Sequence, residues 1–309
     1  MTRNRLLRLI ARRPDRAGSA RLDRRGQPCR TATEPMAQPS PGGDAAAQVE
    51  ARGVSKAFMT GQGRQVIALA GVDLGVAEGT FVSLIGPSGC GKSTLLRILG
   101  GLERPSTGQV LCAGTGKGGP SAPSSVRTAF VFQDYSLFPW LSVVDNVAFG
   151  LRMAGVAKPE RSERARAWVA RVGLSGFERA YPDQLSGGMR QRLSLARAFV
   201  TDPEVLFMDE PMGAVDPQTR LLLQEQLIRL WEETRKTVLL VTHSIEEALL
   251  LGDRVVVMSA RPGRVKLDLE VGLPRPRRVA VTTTSEFSDL RSRLWDSLRD
   301  EVERSFALS

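Results

Sequence analysis

GPSGCGKST, running from Gly86 to Thr94, limits what this chain can fold into more than any other stretch. It has the spacing G-x-x-x-x-G-K-[ST]. It follows a short β-rich run, GTFVSLIG, and precedes STLLRILGGL, whose apolar residues have helical spacing. Between a strand and a helix, the loop of Gly86, Pro87, Ser88, Gly89, Cys90 and Gly91 can turn tightly enough to wrap an oxyanion with its backbone N–H groups. The helix that opens at Lys92, Ser93 and Thr94 adds its dipole to the same anion. Lys92 is then placed to reach the β- and γ-phosphates of a nucleotide, and Ser93 to offer its hydroxyl to Mg²⁺.

The remaining sequence supplies the sheet that such a loop needs. QVEARGVSKAF and QVIALAGVDLGVA alternate apolar and polar residues as half-buried strands do, and GQVLCAG and RTAFVFQ are strand-like. EVLFMDEP and TVLLVTH are continuous apolar runs, the pattern of buried parallel strands. LSGGMRQRLSLARAFV and PQTRLLLQEQLIRLWEETRK read as helices preceding them. From Ser142 to about Ala180 the pattern is helical throughout. Strands alternating with helices predict an α/β fold with a largely parallel sheet and a helical insertion. Near the C-terminus Phe287, Leu290, Leu294, Leu298 and Val302 recur at helical spacing beside Trp295, which predicts a helix packing back on its own domain.

Three further stretches carry chemistry. VLFMDEP ends in Asp209 and Glu210, at the strand edge where α/β sheets bind ligands. Beside a phosphate loop, Asp209 suits Mg²⁺, and Glu210 suits orienting or deprotonating an attacking water. LSGGMRQR places Ser186, Gly187 and Gly188 at a helix start, a second anion-binding N-terminus in one chain. His243, the chain's one histidine, ends the apolar run Val238–Thr242. An imidazole there can donate a hydrogen bond near neutral pH.

Taken together these motifs resemble the ATP-binding subunit of ABC transporters, over about Val49 to Pro276. The order runs Phe58, Gly86–Thr94, Gln133 in VFQD, Leu185–Met189, Asp209 with Glu210, GAVD ending at Asp216, and His243. The resemblance implies a P-loop NTPase (RecA-like) core with an N-terminal antiparallel β subdomain and a helical subdomain at about 136–190. It further implies that Phe58 stacks on adenine and that Gln133 ligates Mg²⁺ and senses the γ-phosphate. Ser186 and Gly188 would contact ATP held by a second copy of the subunit, so that two ATP molecules are sandwiched in a dimer. Membrane-spanning permease subunits, and through them an extracytoplasmic solute-binding protein, would be the remaining partners, with this chain on the cytoplasmic face of the membrane.

YSLFPWLSVVDNVAFGLRMAGV, VTHSIEEALLLGDRVVVMSARPGRV and LPRPR resemble the importers of nitrate, aliphatic sulfonates and taurine. Met212 and Val215 depart from that subfamily's usual Phe and Leu but stay apolar. Phe138, Pro139, Trp140 and Leu141 form an apolar cluster that is either core or the socket for a partner helix.

Composition narrows the alternatives. The net charge of +10 suggests a nucleic-acid partner until its distribution is followed. Residues 1–35 hold ten arginines against Asp15, Asp23 and Glu34, so seven of the ten surplus charges sit there. This Arg- and Pro-rich stretch, 1–48, reads as a disordered tail, or as the product of a start codon placed ahead of a natural first residue at Met36. A soluble ABC-type ATPase acting on nucleic acid or ribosomes is the alternative reading; it calls for two cassettes, a coiled coil or a basic groove, whereas the sequence has one cassette, no coiled-coil heptads and a nearly neutral folded region. Cys29, Cys90 and Cys112 have no metal-ligand spacing, which fits a reduced cytoplasmic setting. No apolar run approaches the ~20 residues that span a bilayer. The organisation expected is thus a tail at 1–48, an ATPase domain at 49–276 and a helical extension at 277–309. The insert TGKGGPSAPSS matches nothing diagnostic.

Overall fold

A computed structural model describes residues 47–59, 61, 63–112, 126–213 and 215–307. The Arg-rich segment, the insert at 114–125 and residue 214 lie outside them. In chain order the strands are β1 (Ala47–Met59), β2 (Gln65–Ala77), β3 (Phe81–Ile85), β4 (Thr107–Cys112), β5 (Thr128–Val131), β6 (Val205–Asp209), β7 (Thr237–Val241), β8 (Arg254–Met258) and β9 (Val265–Glu270). The helices are α1 (Lys92–Leu99), α2 (Val143–Met153), α3 (Lys158–Arg171), α4 (Gly187–Phe199), α5 (Pro217–Thr234), α6 (Ile245–Leu251) and α7 (Ser285–Ala307).

The strands form two sheets. An antiparallel sheet has the order β2-β1-β4, and a six-stranded sheet has the order β5-β6-β7-β3-β8-β9. The first five strands of the larger sheet are parallel, and β9 pairs antiparallel with β8 at its edge. Burial explains the continuous apolar runs. β6 is buried at every residue, and its alternation sends Val205 and Phe207 to one layer and Leu206 and Met208 to the other. The first layer packs α1 and the antiparallel sheet on the core through Leu95, Ile98, Val54 and Leu69. The second packs α4 and α5 through Leu195, Phe199, Leu227 and Trp231.

The helical insertion has its own core of Val143, Val147, Leu151, Ala165, Val169, Leu193 and Ala196, drawn from α2, α3 and α4. Helix α4 serves both layers: Leu193 and Ala196 face the insertion while Leu195 and Phe199 face the sheet. It therefore runs unbroken through residue 190, the position at which the insertion was expected to end.

Helix α7 lies back on the domain. Phe287, Leu294 and Leu298 are buried with Val255, Val257 and Ala248, leaving Trp295 half exposed. The segment leading into it is fastened by two arginines. Arg275 pairs with Asp253 at 2.8 Å and stacks 4.0 Å over the Trp231 ring. Arg277 is 4 % exposed and gives its N–H groups to the carbonyls of Leu273, Leu249 and Gly252. Burial lowers the Arg277 pKa to about 10, so the guanidinium stays charged at neutral pH. An Arg277→Met substitution would leave buried carbonyls without donors. The expected loss is roughly 2–4 kcal/mol of stability, read as a lowered urea midpoint.

Candidate functional site

The loop between β3 and α1 rises from the middle of the parallel sheet. Gly91 sits at φ 106, and a Cβ there would lie 2.7 Å from Leu69 Cδ2 and 3.0 Å from the Ala68 carbonyl, so only glycine lets the loop pass β2. Helices α2, α4, α5 and α6 are each capped by a side chain that accepts from the first turn. Helix α1 has no such cap and no acidic residue in its first turn. Its first N–H groups are left open to an outside acceptor.

Lys92 is buried, and its Nζ donates to the carbonyls of Gly86 (2.9 Å) and Pro87 (3.0 Å). Burial pushes its pKa down against the pull of Cys90, Glu210 and Asp209. Cys90 is buried under the loop, and burial pushes its thiol up. Ser88 and Gly89 are exposed, while Gly86 and Pro87 carry the loop from below.

Strand β6 delivers the acids. Asp209 is buried, accepts from Ser93 Oγ at 2.7 Å, and lies 3.6 Å from Arg97. Glu210 has φ 46, in the left-handed region, a strain of order 1–3 kcal/mol that clusters at functional sites. Its N–H donates to the Val241 carbonyl at 3.0 Å, which ties the turn to the end of β7. His243 follows β7, and its Nε2 lies 2.5 Å from Glu210 Oε1. The strand ends at Val241, one residue earlier than the apolar run suggested, because Thr242 turns its hydroxyl to Glu247.

Phe58, Ser88, Gly89, Gly91, Lys92, Ser93, Thr94, Glu210 and His243 thus share one cleft of about 250 Å³. The Phe58 ring is 41 % exposed and has Lys56 Nζ 4.9 Å from its centroid. The other expected residues lie elsewhere. Gln133 is exposed, with Nε2 within 3.8 Å of where a Cβ on Gly213 would sit, beside the turn that follows Glu210. Ser186 caps α4 by accepting from Met189 N at 3.3 Å, and with Gly188 it lines a separate groove of about 570 Å³ against α5. Gly187 is exposed next to them. Asp216 caps α5, and the Thr219 N–H it accepts, 3.0 Å away, holds its carboxylate below the usual range.

Two residues at the site were not foreseen. Glu247 is 5 % exposed, accepts from Thr242 and Gln224, and fixes the turn that presents His243. Burial pushes its carboxyl up. The signal was present as Ser244 followed three residues later by Glu247, the pattern of a helix start. Arg261 lines the same cleft from the β8–β9 turn, and no local pattern announces it.

The family model described as ABC transporter matches residues 69–213. An uncharacterised ABC transporter ATP-binding protein of Methanocaldococcus jannaschii is 49 % identical over 79 % of this chain and 88 % of its own length. The chain belongs to the ABC transporter ATP-binding family. An aliphatic sulfonates import ATP-binding protein of Bacillus cereus is 42 % identical, over 78 % of this chain and 92 % of its own. A nitrate import ATP-binding protein of Synechocystis is also 42 % identical, over 73 % and 83 %. Among solved structures, a dimeric bacterial ABC transporter cassette is 33 % identical at a TM-score of 0.64, over 72 % of this chain and 98 % of its own. The same cassette is known as a dimer bound to ADP and phosphate, at a TM-score of 0.63. The fold is that of an ABC cassette, and the chain is an ATP-binding ATPase subunit. Among the described residues no helix is long and apolar enough to cross a membrane.

The cassette's phosphate loop is braced by the β8–β9 turn. A Cβ on Gly263 would stand 2.1 Å from the Cys90 carbonyl and 2.8 Å from Met258 Cε. Gly263→Ala should therefore displace the loop. ATP affinity, measured by titration, is expected to fall roughly tenfold to a hundredfold.

Proposed function

We propose that the chain is the energy-coupling ATPase of an importer for a small sulfonate or oxoanion, working as a homodimer beneath membrane permease subunits on the cytoplasmic face. The observation that carries the reading is the 2.5 Å contact of His243 with Glu210 in the cleft that also holds Lys92. A carboxylate held by an imidazole over a phosphate loop is an arrangement for activating water.

Adenine stacks on Phe58, and the phosphates enter the loop of Gly86–Gly91 and the open end of α1. Lys92 exchanges its two carbonyl acceptors for β- and γ-phosphate oxygens. Glu210 takes a proton from the attacking water as the new P–O bond forms and the bond from the γ-phosphorus to the β–γ bridging oxygen breaks. His243 holds Glu210 and donates to the γ-phosphate. The Ser93 hydroxyl and the Asp209 carboxylate, 2.7 Å apart, are hard oxygen donors that fit Mg²⁺. Among the described residues no cage of three or more acidic, His or Cys side chains exists, and an ion shared with substrate phosphates requires none. Gln133 is assigned to the same ion. When bound, Mg²⁺ neutralises charge developing on the transferred phosphoryl group.

Ser186, Gly187, Gly188 and Asp216 complete the site of a second copy. The position of Ser186 and Gly188 in a groove apart from the cleft supports this, as does the fact that none of the four residues lines the cleft of its own chain. Trp140 is 71 % exposed, with Phe138 5.7 Å from it and Phe149 behind, which favours a socket for a permease helix over a core role. The sulfonate and nitrate importers among the relatives support the solute class and, through it, an extracytoplasmic solute-binding protein. No nucleic-acid partner is assigned; most of the excess positive charge lies in residues 1–35.

Glu210→Gln should keep ATP affinity while turnover falls by a factor of about 10²–10⁴, with an ATP-dependent dimer accumulating on a sizing column. Turnover within twofold of the wild type would remove Glu210 from the mechanism. Trp140→Ala should leave ATP titration unchanged and weaken co-purification with the permease. Undiminished co-purification would count against the socket.

A further inference from the structure

The turn between β8 and β9 carries Arg261 into the nucleotide cleft. Its Nε and Nη2 donate to the Gly89 carbonyl at 3.2 and 3.0 Å, at the exposed crest of the phosphate loop. A Cβ on Gly89 would lie 3.3 Å from Nη2, so the guanidinium rests directly against that glycine. Among the described residues no carboxylate comes within ion-pair distance of it, and Nη1 makes no hydrogen bond. This contrasts with Arg254 and Arg275, each paired with an aspartate.

The turn is built to hold that position. Gly263 donates to the Ala68 carbonyl at 2.9 Å and accepts from Ala70 N at 3.1 Å, which fastens the turn to β2. Ser259 N donates to the Arg264 carbonyl at 2.9 Å and closes it. Ala260 N donates to Glu301 of α7 at 2.9 Å. Glu301 is 2 % exposed and pairs with Lys266 at 2.9 Å and Arg304 at 3.1 Å. A buried carboxylate on the C-terminal helix thus anchors the residue before Arg261. The charge at the tip of this fixed turn is unneutralised and faces the cleft that receives phosphate.

We propose that Arg261 is a phosphate-binding residue of the nucleotide site. It keeps Gly89 as one acceptor and uses its remaining N–H groups on the polyphosphate of ATP or ADP, with Glu301 as the residue that positions the turn. A guanidinium bond to phosphate is charge-assisted and stronger than its bond to a neutral carbonyl. This rests on the reading of the cleft as the ATP site, so the test carries Lys92→Ala as an independent control.

The experiment is calorimetric titration of the full chain with ATP and with ADP at low and moderate salt. The proteins are the wild type, Arg261→Met, Arg261→Lys, Glu301→Gln and Lys92→Ala. Arg261→Met keeps an unbranched apolar stem and removes the charge. It should weaken both nucleotides about tenfold, with a shallower salt dependence. Arg261→Lys should recover part of the affinity. Glu301→Gln should weaken binding less than Arg261→Met does. If Arg261→Met binds ATP within twofold of wild type with unchanged salt dependence, and only melts earlier, Arg261 is a tether of the turn and the proposal fails. Should Lys92→Ala also bind as wild type does, the reading of the cleft itself fails.

Discussion

Strand β3 is hydrogen-bonded to β7 on one side and β8 on the other, and every functional feature of the chain depends on that sandwiching. With β5 and β6 added beyond β7, five parallel strands end on one edge. In spatial order their C-terminal ends deliver Gln133, then Asp209 and Glu210, then His243, then the phosphate loop, then Arg261. Parallel pairing in register, with Asp209 opposite Val241 and Leu84 opposite Val241 and Val256, brings these ends level. β3, β6 and β7 are buried at every residue, so a one-residue slip of any of them would exchange its two packing layers. The site inherits its geometry from that register.

Much of this could be read from the sequence because the signals are local. The phosphate loop, the acids after VLFM and the histidine after VLLVT each declare themselves within ten residues, and the order of motifs identified the family. What escaped depends on spatial neighbours. Arg261 reaches the loop because β8 lies beside β3, although some 170 residues separate Gly89 from Arg261. Nothing local to SARPG expresses that adjacency. The burial of Glu247 is similar: its capping pattern was visible, but its enclosure by Thr242 and Gln224 comes from α5 packing on α6. The extent of α4 was obscured because its two faces serve two different cores, so no break in periodicity marks where the helical insertion rejoins the sheet layer. Trp140 was ambiguous for a simpler reason, since an aromatic cluster reads the same whether it is covered or bare.

The edge is also mechanically joined to the helical insertion. After Gln133 the chain passes through Tyr135 and Ser136 at φ 62 and 44, two successive left-handed residues that are not glycine. Such a pair persists only where its surroundings over-determine it. Here Arg197 of α4 supplies the constraint, donating to the Tyr135 carbonyl at 2.9 Å and also to that of Ser136, with Ser194 adding a weaker bond to Tyr135 at 3.4 Å. Asn146 of α2 continues the clamp through Phe138 and Leu141. The loop from Gln133 to Leu141 is thus bonded to α4 and α2, helices of the insertion, while its start belongs to the parallel sheet.

That attachment decides what a movement of the insertion must do. Helix α4 runs from Gly187, capped by Ser186, to Phe199 and carries Arg197 in its last turn, so its N-terminus and the clamp on Tyr135 lie at opposite ends of one helix. Tilting α4 without the loop would strip the donors from two carbonyls held in strained conformations. Each carbonyl so left without its donor would cost about 1–3 kcal/mol. Gln133, beside the turn after Glu210, and Trp140, exposed on the outer surface, stand on either side of the clamped residues. The Ser186 end of α4 is therefore tied, through Arg197, to the segment that joins the end of β5 to the exposed aromatic cluster.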